Sequence, residues 1–212
     1  PPFGTGLAQR GDIRYEKAAG RCRHDRSAGS VKTAGLRKEL HMSVSADDIK
    51  MPDDLKPCVA FHGHLCPGLV YGYRVAREAM RLMHLSRAGD EEVVAVCEND
   101  SCAIDALQVL LGTAAGKGNL IIRNYGKNAY TVLSRPMRRA YRFSRRTGYA
   151  YGGKDRELYD RLEAARAAGK ASENDERQLK RMKIADLLSQ SFADLFTTAE
   201  VPYEEPPYAP LQ

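Results

Sequence analysis

Interleaved helical and strand periodicities predict an α+β domain for the body of this chain, a sheet packed with helices. Two observations carry the prediction. Apolar residues between Pro67 and Met83 fall at Leu69, Val70, Tyr73, Ala76, Met80 and Met83, the spacing of one helical face, with Arg74, Arg77, Glu78 and Arg81 mostly opposite. Shortly after, Glu92–Cys97 reads E-V-V-A-V-C, β-branched and apolar, as a buried strand does. At 212 residues the chain has room for one domain of ordinary size plus appendages.

Residues 1–41 are rich in Gly, Ala and Arg and lack both periodicities, so they read as a disordered basic extension. Cys22 and His24 within it receive no role. Met42 opens a segment of different character, in which Ser45, Asp47 and Asp48 resemble a helix start. The expectation is that Met42 is the natural first residue and that residues 42–212 form one core domain with a helical C-terminal region and an extended tail. After the Pro67–Met83 helix, Gly89-Asp90 marks a turn into the strand. A second helix then runs to about Leu111 and stops at Gly112. Short strands are expected at Leu120–Arg123 and Ala129–Leu133, joined by an Asn-Tyr-Gly turn. The basic run Pro136–Arg146 suits an exposed edge strand, with a helix as the alternative. Charged helices over Asp155–Ala168 and Asn174–Ser191 follow, and the tail from Val201, with four prolines, is extended.

Composition excludes several classes of function. No run approaches 18 apolar residues, so no transmembrane helix is expected, and without the apolar centre of a signal peptide the expected location is cytoplasmic. An odd count of 5 cysteines points to reduced thiols or metal ligands rather than a disulfide framework. The net charge of +6 is uneven: residues 1–41 hold 9 of the 33 Lys and Arg against 4 of the 27 Asp and Glu, leaving 24 against 23 for the rest. A nearly neutral body with a basic tail is not a specific nucleic-acid reader.

The chemistry concentrates between Cys58 and Arg74, in C-V-A-F-H-G-H-L-C-P-G-L-V-Y-G-Y-R. Cys58, His62, His64 and Cys66 are donors of the kind that zinc, nickel, copper and iron accept. An extended backbone would send all four to one face, whereas a turn at Gly63 would break that alternation. Buried inert thiols and turn histidines are the alternative reading. Pro67 and Gly68 place Cys66 at the start of the first helix, where unpaired N–H groups and the helix dipole favour a thiolate, so Cys66 is a candidate ligand or nucleophile. A second strand-to-helix junction, E-N-D-S-C-A-I-D-A-L-Q, repeats the device. There Asp100 or Ser101 can cap the helix, Cys102 falls in the first turn and Asp105 shares its face. The following G-K-G loop lacks P-loop spacing, yet Lys117 and Lys127 are candidate anchors for an anionic cofactor, substrate or partner.

These two junctions, with the run G-K-G-N-L-I-I-R-N-Y-G-K-N-A-Y, resemble the FmdE family, named for the E component of formylmethanofuran dehydrogenase. The resemblance covers most of residues 55–135, with a looser echo at Asp194-Leu195-Phe196. It implies an α+β core with a mixed sheet, a tendency to homodimerise, and a cleft able to hold a metal ion. It puts His64, Cys66 and Cys102 foremost at that cleft, with His62, Glu98, Asp100 and Asp105 close by. Two features of the family are missing: no cysteine after Cys102 can form the C-terminal zinc finger of many members, and Thr113 stands where many carry a cysteine.

Three functions follow as expectations. The first is a metal-binding accessory or subunit of a molybdenum or tungsten redox enzyme system, holding a divalent transition metal, zinc foremost with nickel or iron as alternatives, through Cys66, Cys102 and a histidine. The second is a standalone enzyme in which Cys66 or Cys102 is a thiolate nucleophile, or a metal activates water, while Asp100 or Glu98 moves protons. The third is a non-catalytic interaction protein.

Overall fold

The computed structural model describes residues 49–206; the expected extension over 1–41 and the helix start at Ser45 lie outside them. Six α-helices and five strands follow in the order α1 (Lys56–His62), α2 (Pro67–Met83), β1 (Val93–Cys97), α3 (Ala103–Leu111), β2 (Leu120–Ile122), β3 (Ala129–Ser134), β4 (Arg139–Arg145), α4 (Arg156–Ala167), α5 (Glu173–Ser189), α6 (Phe192–Leu195) and β5 (Phe196–Val201). The strands form one mixed sheet in the order β2-β1-β3-β4-β5. Only β1 and β2 run parallel, joined through α3; the other neighbours are antiparallel. The α+β class with a mixed sheet is thus observed.

Period-two alternation divides the sheet between two faces. Val93, Ala95, Cys97, Tyr130, Val132, Tyr141 and Phe143 join the main core beneath the helices. Val94, Leu133 and Ala140 form a smaller cluster on the reverse face, with Val96, Ile121, Val201 and Tyr203 against it. On the core side α2 and α3 touch backbone to backbone: a Cβ at Gly72 would lie 2.0 Å from the Ala103 carbonyl oxygen, so only glycine permits this crossing. Helix α5 is started by a Ser172–Asp175 capping box. Its last carbonyls are satisfied by Arg74 of α2, whose guanidinium donates to Leu187 O at 2.6 Å and Gln190 O at 2.7 Å.

The α2 helix and the end of α3 at Gly112 lie where periodicity puts them, but three local expectations are corrected. The segment before Cys66 is helical: α1, opened by Pro57, ends at His62, and Gly63 reverses the chain at φ 89°. The two strands joined by the Asn-Tyr-Gly turn do not pair with each other, because β1 lies between them. The basic run is no edge, since β4 lies between β3 and β5. Its arginines find acids instead, as Arg142 does at Glu98 and Arg139 at Glu200. Phe196–Val201, for which the sequence reading names no element, completes the sheet as a strand.

Candidate metal centre

Three helix ends converge on one point: the last residue of α1, the N-cap of α2 and the N-cap of α3. His62, His64 and Cys66 each bring a ligand atom to it, all within 4.8 Å of one another. The turn at Gly63 makes this possible. It folds His64 back against His62, with ring centroids 4.5 Å apart. Tetrahedral zinc with bonds of about 2.0–2.3 Å spaces its ligands by about 3.3–3.8 Å. His62 Nε2 and Cys66 Sγ, 3.7 Å apart, already meet that spacing.

The tautomer of His62 follows from its other contact. Nδ1 lies 2.7 Å from Asp105 Oδ2 on α3, and a carboxylate oxygen accepts, so Nδ1 carries a proton and, in the neutral ring, Nε2 presents its lone pair to the cluster. Carboxylates behind ligating histidines act in this way, fixing the ring and strengthening the donor. The other oxygen of Asp105 accepts from Gln108 Nε2 at 3.1 Å, which fixes the carboxylate in turn. The pairing joins residues 43 apart in the chain. Its sequence signals were that Asp105 shares a helix face with Cys102 and that the family resemblance puts it close to the cleft.

Cys66 caps α2 as expected, its sulfur accepting the Leu69 N–H at 3.3 Å. In the metal-free protein burial opposes the expected thiolate preference. Burial pushes the Cys66 thiol up to about 11 and outweighs the Leu69 N–H that lowers it, with Cys102 raising it further. A cation held at this cluster would displace that proton.

Cys102 stands beside this group and not inside it. A Cβ built on Gly68 would lie 3.0 Å from Cys102 Cβ, 3.6 Å from Cys102 Sγ and 3.8 Å from Cys66 Sγ, so both sulfurs border the same empty point. The three-donor cluster does not include Cys102. Cys58 is excluded as well, because α1 turns it into the core, where its thiol donates to Asp54 O at 3.7 Å and burial pushes it up to about 11. Cys97 is another core thiol, pushed up to about 12 by burial on β1.

The remaining candidates are corrected or relocated. Neither Asp100 nor Ser101 caps α3: Cys102 occupies the N-cap, and Ser101 Oγ donates to Asn99 Oδ1 at 3.0 Å. Asp100 is exposed and not part of the cluster. Both oxygens of Glu98 hold Arg142, at 2.7 and 2.9 Å, on the reverse face of the sheet. Lys117 is engaged at the opposite end of α3, donating to Gly89 O and Asp90 O at 3.4 and 3.3 Å. Thr113 is also at that end, about 16 Å from Cys102 at the helical rise. A cysteine there would not reach this centre.

Lys127 does border a cavity, one of about 630 Å³ whose wall includes Pro67 and Gly68, the residues that follow Cys66 in the chain. Residues from β4, α5 and the loops around them complete its wall. The sequence did not reveal this cavity, because its residues are scattered over more than 100 positions.

The family model described as "FmdE, Molybdenum formylmethanofuran dehydrogenase operon" matches residues 61–197. Among curated proteins, a "Probable S-adenosyl-L-methionine-binding protein" of Archaeoglobus fulgidus is 34% identical over 79 residues. That alignment covers 35% of this chain and 22% of the relative, so the chain spans about a fifth of that protein's length. Among solved structures, a tungsten formylmethanofuran dehydrogenase FmdE-like protein from Syntrophus aciditrophicus has a TM-score of 0.43 at 22% identity, over 74% of each chain. The family match, which spans more than half of the 212 residues and contains all the donors of the cluster, shows that this chain belongs to the FmdE family.

Proposed function

We propose that this protein is a metal-binding accessory or subunit of a molybdenum- or tungsten-dependent redox enzyme system of the formylmethanofuran dehydrogenase kind. It works as a cytoplasmic homodimer whose partners are redox-enzyme subunits. The observation that carries the metal reading is the meeting of His62, His64 and Cys66 with Asp105 behind His62. One sulfur and two imidazoles suit a divalent transition ion, zinc first, nickel or iron next. Three protein donors leave a coordination position free, and the Cys102 thiol stands next to it as a fourth donor or as a neighbour of the ligand's reacting end. When bound, such an ion supplies Lewis acidity. This chain's own part is to hold the imidazole by Asp105 and to shield the sulfur from water.

Family membership supports the partner assignment, and the site supports the ion. The archaeal relative's designation does not extend to this reading, because the cavity beside the cluster is lined by cations and S-adenosylmethionine itself carries a sulfonium. Elemental analysis after anaerobic purification with metals supplied tests the reading. Wild type should retain about one ion per chain and Cys66→Ser should lose it. A wild type without metal under those conditions overturns it.

A second reading is favoured by one specific observation. Asp105, His62 and Cys66 are aligned as orienting acid, imidazole and thiol, with Cys66 at the start of a 17-residue helix. In that reading the metal-free protein is a thiol enzyme with His62 as the base. It predicts rapid iodoacetamide labelling of Cys66 in metal-free protein near neutral pH, strongly slowed in His62→Gln. Slow labelling in both variants sinks it.

A further inference from the structure

The cavity whose wall includes Pro67 and Gly68 has an unusual electrostatic composition. Five cationic side chains line it, and none of its lining residues is Asp or Glu. Arg142 is neutralised by Glu98 on the reverse face and makes no claim on a ligand. The other four are Lys127, Arg145, Arg146 and Lys183, and none makes an ion pair with an acid among the described residues. Three of them are nonetheless held in place. Arg145 lies over the Tyr71 ring at 4.9 Å, Lys183 over the Tyr149 ring at 4.7 Å, and Arg146 donates Nε to Ala193 O at 2.8 Å. The acid that acts on Lys183 is Glu163, and it is itself bonded to Arg166 at 2.6 Å.

Four mutually repelling cations held in one concavity cost stability unless something compensates them. The aromatic rings compensate in part. The rest of the compensation requires an anion with more than one negative charge, since a single carboxylate would leave most of the field in place. The volume of about 630 Å³ is that of a small-molecule site and far exceeds a bare inorganic anion. Gly68 is part of its wall, and its missing side chain leaves open the point that both the Cys66 and Cys102 sulfurs border.

We infer that this cavity binds a small molecule bearing a multiply charged oxyanion, a phosphate ester or a cluster of carboxylates. Lys127, Arg145, Arg146 and Lys183 hold the anionic end, and the reacting end passes Gly68 to the thiols. The second half rests on the reading of the cluster as the working centre; the charge argument does not.

Two measurements on the full chain test the two halves. Calorimetry on metal-free protein, with pyrophosphate and tricarballylate as probes, distinguishes phosphate from carboxylate recognition. At least one probe should bind, with affinity falling as salt rises. Arg145→Gln and Lys183→Gln should each weaken binding about tenfold or more, while Lys154→Gln, outside the cavity, leaves it unchanged. Should Arg145→Gln fail to fold, Lys127→Gln on the exposed loop serves in its place. Absence of binding by both probes, or equal binding by all variants, overturns the anion site. For the second half, anionic iodoacetate and neutral iodoacetamide are compared as labels of Cys66 and Cys102. Wild type should favour iodoacetate relative to Arg145→Gln, and the bound anion should abolish that preference; an unchanged ratio overturns the juxtaposition. Metal content of the same samples separates the two proposals. Metal without anion binding refutes only this inference, and anion binding without metal refutes only the metal centre.

Discussion

Asp105→Asn is the most informative single perturbation of the proposed centre. The substitution keeps size and an acceptor oxygen for His62 Nδ1–H, and it removes only the charge. In the structure that contact is short, 2.7 Å, and the partners' side chains are 12% and 30% exposed, so it is a half-buried charge-assisted bond. Such bonds contribute about 1.5–3 kcal/mol. Outer carboxylates on ligating histidines typically change metal affinity 10–100-fold, or about 1.4–2.7 kcal/mol, an independent figure in the same range. Because Asp105 is partly in water, the lower end applies, and Asp105→Asn should bind zinc about tenfold more weakly. Competition against a chromophoric chelator at fixed pH measures this. A thermal melt of the metal-free protein controls for folding and should move little, since the neutral hydrogen bond persists. Unchanged zinc affinity in Asp105→Asn would refute the assignment of His62 Nε2 as a ligand oriented by Asp105.

Other perturbations address the scaffold. Cys102→Ser should reduce metal affinity less than Cys66→Ser, because Cys102 lies outside the three-donor cluster; equal losses by chelator competition would place it among the ligands. Gly72→Ala would drive a Cβ to 2.0 Å from Ala103 O and should cost about 1–3 kcal/mol or more in urea unfolding as α2 and α3 separate. An unchanged midpoint would show the crossing to be looser than described. Thr113 buries a hydroxyl that has no hydrogen-bond partner among the described residues, so Thr113→Val should stabilise the protein by about 1 kcal/mol, read as a rise in melting temperature. Burial raises the Cys58 and Cys97 thiols to about 11 and about 12, above their ordinary value of 9.0. The unfolded chain therefore ionises first: the contribution to stability is complete below pH 9 and is lost as pH rises through 11 and 12. Unfolding in urea between pH 9 and 12 should show this decline, less steeply in Cys97→Ala. A slope equal to wild type would refute the burial argument for that thiol.

Much of the site was readable before any coordinates. Pro67 and Gly68 marked the start of α2, and a helix start has unpaired N–H groups, so Cys66 as the N-cap followed from local chemistry. The second cysteine at a helix start, Cys102, was recognised in the same way. What failed was local as well. An extended Cys58–Cys66 segment would have aligned all four donors, with a turn at Gly63 as the alternative; Pro57 opens a helix and Gly63 closes it, so Cys58 faces the core. The polar strand end at Glu98 looked catalytic, yet strand alternation carries its carboxylate to Arg142 on the reverse face.

By itself the sequence determined the family, the α+β class, the main helices and the residues rich in soft donors, because periodicity and donor chemistry are properties of neighbouring residues. The tertiary structure alone decided which donors meet. Strand order placed β1 between β2 and β3, and helix crossing at Gly72 brought α3 against α2. Only these long-range contacts put Asp105 behind His62 and left Cys102 one position aside. They also drew four cations from distant segments around one cavity. Such encounters depend on chain closure over tens of residues, which no local pattern encodes.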